Sequence, residues 1–405
     1  MLDLVIRGGQ VVTPMGVGEW DVAVQGEKIV AVAAPGALPD EAGRVIDAKG
    51  MVVVPGGIEP HAHISAPIMG HGDLKTAPPD EVSRAALIGG TTMLMDFAIQ
   101  YPGIDIPQAI KERTDVWQGN SYADYAHHLM LLGAIPPEIL GSLHEAVEDG
   151  FPSVKIFTTD IRPPEGRVNS LTPGGKLDAG RLHDVMTQVA KHDGVLAVHG
   201  EDDELVMYNY LLAQQRGHWD WHNVHLIHSK AVEDLAFRSV VRLAERTGAG
   251  MYFVHVTASD GLDVISEARS KGMAVYGEVL TLALSFNCDR YKEEDGMKYH
   301  TYPSLKYEDD RLELWKGLHR SDLAFTATDS SFTTYLDKIA GRDVVSVRGG
   351  NIGIGTTSPG AKLEVSGKGY LLHLNQDDTG VKALKISNKK VGGRHWSLYM
   401  DNQGS

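Results

Sequence analysis

The chain has 405 residues, 42% of them hydrophobic and 22% charged, enough to bury a large core and too ordinary a charge content for wholesale disorder. A net charge of -15 disfavours the unspecific phosphate contacts that drive nucleic-acid binding. The single cysteine, Cys288, excludes an intrachain disulfide and thiolate zinc sites, so any metal must be held by histidine, carboxylate or a modified side chain.

The first residues, MLDLVIRGGQVV, lack the basic start, apolar core and small-residue cleavage site of a secretory signal. No apolar run approaches the roughly 20 residues of a membrane span. The expectation is a soluble, cytoplasmic protein with neither a membrane nor a nucleic acid as partner. Residues 1–54 read as short strands. LDLVIRGGQVVT, DVAVQGEKIVAVA and RVIDAKGMVVVP alternate apolar with polar residues and break at glycine, proline and aspartate. This predicts a small β unit, of sandwich type, joined to the next segment without a linker.

From about residue 50 the rhythm changes. Apolar runs rich in Val, Ile and Phe alternate with helical segments. The runs are MVVVPGGIEPHAH, TTMLMDF at 91–97, YAHHLML at 125–131, SVKIF at 153–157, VLAVHG at 195–200, MYFVHV at 251–256, AVYGEV at 274–279 and AFTATD at 324–329. Eight strand-like runs separated by helices predict an α/β fold, a (β/α)8 barrel of the TIM type over 55–345. A doubly wound open sheet is the alternative. Polar residues at the C-terminal ends of most runs favour the barrel, which places its chemistry there. In the helix SKAVEDLAFRSVVRLAERTG, a buried face of Ala231, Leu235, Val240, Val241 and Leu243 is expected, with Glu233, Arg238 and Glu245 wet. The Pro/Gly-rich stretch 159–177 reads as a lid or a disordered loop, and Gly70, His71 and Gly72 sit in a similar loop.

Near residue 346 the composition shifts to Gly, Ser and Thr, and 346–405 carries short β-like pieces without a helix. For an eighth barrel helix only TTYLDKIAGR is available, about three turns at 3.6 residues each. The barrel therefore reads as truncated, with apolar surface left exposed behind it.

His61 and His63 flank one residue, and alternate strand residues point the same way, so both rings can reach one cation. His199 and His255 close two other runs; each alone fits a satisfied core histidine. Asp329 closes AFTATD in the same manner. Lys155 lies inside the apolar SVKIF, where an unpaired ammonium is costly. A salt bridge would relieve it. So would reaction with carbon dioxide to a carbamate, an anionic ligand able to span two cations. Together the six residues suit two divalent metals about 3.5–4 Å apart, which hold a hydroxide between them and polarise a carbonyl. Asp329 is the candidate general acid and base.

These motifs resemble the hydantoinase/dihydropyrimidinase branch of the amidohydrolase superfamily. The resemblance rests on PGGIEPHAH at 55–63, SVKIF, VLAVHGED at 195–202, YFVHVTAS at 252–259, VYGEVLTLAL at 275–284, TYPSLK at 301–306 and FTATDS at 325–330, and runs from residue 1 to about 345. It implies a two-metal, usually zinc, centre and hydrolysis of a small cyclic amide by a hydroxide that bridges the metals. His61 and His63 would bind one metal, His199 and His255 the other. Carbamylated Lys155 would bridge both, and Asp329 would complete the first. It further implies substrate contacts from Tyr302 and Asn351, and leaves homo-oligomer formation open. An allantoinase- or dihydroorotase-like enzyme is the alternative, and an inactive fusion with a structural role is a second.

Three positions depart from the family pattern. Glu59 stands where Asp is common, as a carboxylate behind the ligands rather than one of them. Asp160 stands where a tyrosine stabilises the oxyanion, and an ionised carboxylate cannot donate. Thr158 and Thr159 are nearby donors. Ser330 stands where His is common. The tail motif GGNIGIGTTSPGAKLEVSG resembles bacteriophage tail-fibre repeats, which places a junction of two unrelated sequences near 346–355.

Overall fold

The structure is a computed structural model that describes residues 1–67, 75–101, 103–133, 135–160, 174–218 and 220–331, and three short strands after them. The chain divides into two compact units, Met1–Thr333 and Thr334–Ser405.

The alternating N-terminal segments form β1 (Leu2–Thr13), β2 (Gly16–Gln25), β3 (Lys28–Ala33), β4 (Ala42–Asp47) and β5 (Val52–Val53). They make one mixed sheet in the order β3-β2-β1-β4, with β5 also on β1. β1 pairs antiparallel with β2 and parallel with β4 and β5. Val5, Val22 and Ala23 are buried, while Ile29, Val52 and Val54 are more than half exposed.

The next eight strands are β6 (Gly57–Glu59), β7 (Thr91–Gln100), β8 (Asp124–Leu131), β9 (Ser153–Phe157), β10 (Val195–His199), β11 (Met251–Phe253), β12 (Val275–Leu280) and β13 (Leu323–Ala327). They lie side by side in chain order, every neighbouring pair parallel. The first and last strands meet just past their C-terminal ends. Ala62 bridges to Ser330 in parallel, and the His63 N–H donates to the Ser330 carbonyl at 2.9 Å. The sheet is thereby a barrel, as the eight-run pattern predicts. Each expected run supplies one of these strands.

Helices pack outside the strands, several started by an aspartate that caps them. Asp105, Asp178 and Asp202 each accept from a backbone N–H in the first turn of the following helix. The helix Lys230–Thr247 corrects the sequence reading of its face. Val232, Glu233, Ala236, Phe237, Val240 and Ala244 are buried, whereas Ala231 and Leu235 are exposed. The stripe is rotated because Phe237 stacks on Phe253 of β11, ring centres 3.6 Å apart. Glu233 tolerates burial because its carboxylate accepts from the Thr257 and Ala258 N–H groups and the Thr257 hydroxyl. Gly200, directly after β10, makes room for the same stack: a Cβ there would lie 2.6 Å from the Phe237 ring.

The expected eighth helix, TTYLDKIAGR, lies outside the described residues, as do Gly70, His71, Gly72 and residues 161–173 of the long loop. In the second unit, Val345–Arg348, Asn351–Ile354 and Leu363–Val365 form a three-stranded sheet. Among the described residues no helix is long and apolar enough to cross a membrane.

Candidate metal centre

The six residues singled out by the sequence all lie in the barrel unit, on or just after the C-terminal ends of β6, β10, β11 and β13, with Lys155 inside β9. His61 Nε2 and His63 Nε2 lie 3.1 and 3.0 Å from the same Asp329 oxygen, Oδ1. One donor atom from each of the three residues falls within 4.8 Å of the others, a set that can hold a metal ion. His199 and His255 pack edge to face beside it, ring centres 4.5 Å apart, and the His255 ring centre is 5.7 Å from that of His61.

The donor set fits divalent cations on several counts. His199 and His255 are driven toward the neutral form mainly by burial, and neutral imidazole is the form that ligates. Among the described residues the buried His255 Nδ1 has no hydrogen-bond partner, a costly state for a polar atom unless something binds it. Burial works to raise the Asp329 carboxyl, but His61, His63 and Lys155 outweigh it and hold it well below the usual carboxylate range. His255 and Asp329 also have left-handed backbones, φ 42° and 48°. Such conformations cost about 1–3 kcal/mol each in a non-glycine residue and collect at functional sites.

Lys155 sits between Met130 of β8 and Ala197 of β10 in the strand register. Its side chain is 1% exposed, and Nζ lies 5.7 and 5.1 Å from the Phe97 and Phe157 ring centres. Burial pushes its amine down to about 8, although Asp329 and Glu278 pull the other way. Phe97 also stacks on His63, ring centres 4.7 Å apart. Phe97 is itself fixed by its neighbour Asp96, whose carboxylate accepts from Arg113 Nε at 2.8 Å and Trp117 Nε1 at 2.9 Å. Arg113 reaches on to the Ile64 carbonyl, just past the histidine pair.

Four buried glutamates brace the ligands, and of these the sequence reading recognised only Glu59. Its Oε1 accepts from the His61 N–H at 3.0 Å and the Thr328 N–H at 3.1 Å, tying the two closing strands together. Glu201 accepts from or shares a proton with His199 Nε2 at 2.9 Å and His228 Nδ1 at 2.7 Å, and His228 Nε2 lies 3.1 Å from the Tyr210 hydroxyl. Burial opposes the Glu201 charge, but His228 and His199 hold its carboxyl well below the ordinary range. Glu233 secures the residues after His255, and Glu278 stands behind His61 at 2.8 Å. The signal that marks Lys155, a charged residue inside an apolar run, also marks Glu278 in VYGEV.

The two nearby donors, Thr158 and Thr159, are otherwise engaged. The Thr158 hydroxyl donates to the His199 and Glu201 carbonyls, and the Thr159 hydroxyl to Asp203. Asp160 is buried, its N–H donating to the same Asp203 carboxylate, which also pairs with Lys176 at 3.0 Å. Tyr302 sets its ring edge-on to His228 and His300, at 4.8 and 4.5 Å. Asn351 starts a strand of the second unit, and its side chain lies outside the described residues.

No family model matches the chain. It is 32% identical to a D-hydantoinase of Streptomyces coelicolor over 335 residues, covering 80% of this chain and 68% of the relative. It is 30% identical to a D-hydantoinase of Geobacillus stearothermophilus (80% and 66% covered) and 28% identical to an allantoinase of Bacillus licheniformis (81% and 70%). The chain thus spans about two thirds of the length of these relatives. Among solved structures, a dihydropyrimidinase from Brevibacillus agri superposes with a TM-score of 0.75 at 28% identity, over 84% of this chain and 72% of the other. With the strand order, the position of the clustered donors and these similarities in agreement, the chain belongs to the family of cyclic amidohydrolases that comprises hydantoinases, dihydropyrimidinases and allantoinases.

Proposed function

We propose that the chain opens a hydantoin- or dihydropyrimidine-like ring by hydrolysing its cyclic amide. The observation that carries this reading is the convergence of His61, His63 and Asp329 on one point at the barrel's C-terminal end. In this reading those three hold one divalent cation and His199 with His255 a second. Lys155 contributes to both after its neutral amine adds carbon dioxide and the carbamic acid loses a proton. With the amine at about 8, about a tenth of the chains carry it neutral at pH 7. Nitrogen and carboxylate ligands without thiolate suit zinc. Bound, the two cations would polarise the ring carbonyl and lower the pKa of a water to about 7.

The chain's own residues do the rest. The barrel ends orient the ligands, and Asp329 takes the proton of the attacking water and returns it to the leaving ring nitrogen. The carbonyl carbon gains the water oxygen as the C–N bond breaks, giving an open-chain carboxylate. Tyr302 and Asn351 are the proposed substrate contacts. An allantoin-like ring is the second reading, favoured by the similarity to allantoinases. Domain limits of 1–54, 55–345 and 346–405, a tail-fibre-like character of the last segment and self-association belong to the same proposal. The shift to Gly, Ser and Thr near residue 346 supports the last boundary and the tail-fibre-like character; the compact units, Met1–Thr333 and Thr334–Ser405, divide the chain differently.

The test is metal content and turnover on one sample of the full chain, produced with zinc and bicarbonate. Hydantoin, dihydrouracil, allantoin and dihydroorotate are assayed side by side. Two equivalents of metal with ring opening of hydantoin or dihydrouracil is the expected result. Less than one equivalent, with none of the four rings opened, overturns it.

A further inference from the structure

Glu278 lies on β12, a barrel strand that supplies none of the six candidate ligands. Its residue is 0% exposed. One oxygen, Oε1, does two jobs: it lies 2.8 Å from His61 Nδ1 and accepts from the His255 N–H at 3.1 Å. The other oxygen, Oε2, is buried without a hydrogen-bond partner among the described residues. A carboxylate held this way is expensive, so its position asks for a function.

The geometry on the far side of His61 supplies one. An ionised carboxylate only accepts, so His61 must place a proton on Nδ1 to meet Glu278. In the neutral ring this leaves a lone pair on Nε2. That atom is 3.1 Å from Asp329 Oδ1, which is also an acceptor. A cation between the two atoms takes the place of a proton there and ligates both. At the same time Oε1 anchors the backbone of His255, where the chain enters the left-handed region at φ 42°. That bend aims the His255 ring toward His199 and His61.

Resting on the two-metal reading above, we propose that Glu278 is a positioning residue shared by both metal positions. It fixes the ring of His61 for one cation and the strained strand end that carries His255 for the other. Hydrogen-bond partners behind a ligating histidine typically contribute about 10–100-fold to metal affinity. A carboxylate that serves one ligand of each cation should therefore loosen both when it is changed.

The experiment compares the wild-type full chain with Glu278→Gln and Glu278→Ala by zinc competition against a chromophoric chelator, with kcat and KM read on the ring that the wild type opens. Gln keeps the shape and one acceptor but loses the charge. We expect about 10-fold weaker binding for Glu278→Gln and about 100-fold for Glu278→Ala, in both zinc steps. kcat should fall with KM little changed. Wild-type affinity in both variants overturns the proposal, and so does weakening confined to one of the two steps. A wild type that holds less than one equivalent overturns the metal reading itself and this inference with it. Should the variants fail to fold, histidine-15N spectra of zinc-loaded wild type decide, with His61 assigned by its loss in His61→Gln. Ligation through Nε2 with a slowly exchanging Nδ1–H supports the role; ligation through Nδ1 refutes it.

Discussion

Replacing Lys155 by methionine should stabilise the metal-free protein. The side chain is 1% exposed, and burial has pushed its amine from an ordinary 10.5 to about 8. Below pH 8 the folded chain holds a buried ammonium that would rather be in water. Between about 8 and 10.5 the unfolded chain binds a proton that the folded chain does not, so stability rises with pH through that window and the penalty is complete below it. At about 1.4 kcal/mol per pH unit the penalty at pH 7 is about 3 kcal/mol. Methionine is unbranched, polarisable and able to fill the same channel beside Phe97 and Phe157. Urea unfolding of protein stripped of metal and bicarbonate should therefore show Lys155→Met more stable than wild type by about 3 kcal/mol at pH 7, shrinking to about 1 kcal/mol by pH 9.5. With zinc and bicarbonate restored the order should reverse, because only the wild type can form the carbamate and so gains more stability from metal bound to the folded state. Equal stability at pH 7, or a gap that widens with pH, would refute the reasoning.

His127 is buried against Trp117, Tyr125 and Phe151 with neither ring nitrogen hydrogen-bonded among the described residues, and burial lowers it to about 4. Stability should fall as pH drops from about 6.5 toward 4, and His127→Phe should remove about 3 kcal/mol of that fall, measured by urea midpoints at pH 7 and pH 4. Arg113→Ala strands the Asp96 carboxylate at 1% exposure and should cost about 3–5 kcal/mol in unfolding free energy; a loss under about 1 kcal/mol would show that Asp96 finds relief elsewhere. Asp329→Asn should keep part of the bound metal while kcat drops about 10²–10⁴-fold, and unchanged turnover would remove it from proton transfer.

The amino-acid order by itself gave eight parallel strands, with a barrel favoured over a doubly wound sheet, and the candidate ligands; closure between the first and last strands was decided by the tertiary structure. Eight apolar runs spaced by amphipathic helices leave few other ways to bury so much Val, Ile and Leu, and strand-end His and Asp are legible because polar residues there interrupt an apolar pattern. Lys155 was legible for the same reason. What the pattern could not give was the relation between strands far apart in sequence. Glu278 meets His61 across 217 positions and Glu59 meets Thr328 across 269, contacts that exist only once the barrel closes. The rotation of helix Lys230–Thr247 was likewise decided by one tertiary contact, the Phe237–Phe253 stack, which turned Glu233 inward where satisfied backbone donors awaited it. Periodicity records which residues avoid water; which buried charge faces which ligand is set by packing, and only the tertiary structure holds that information.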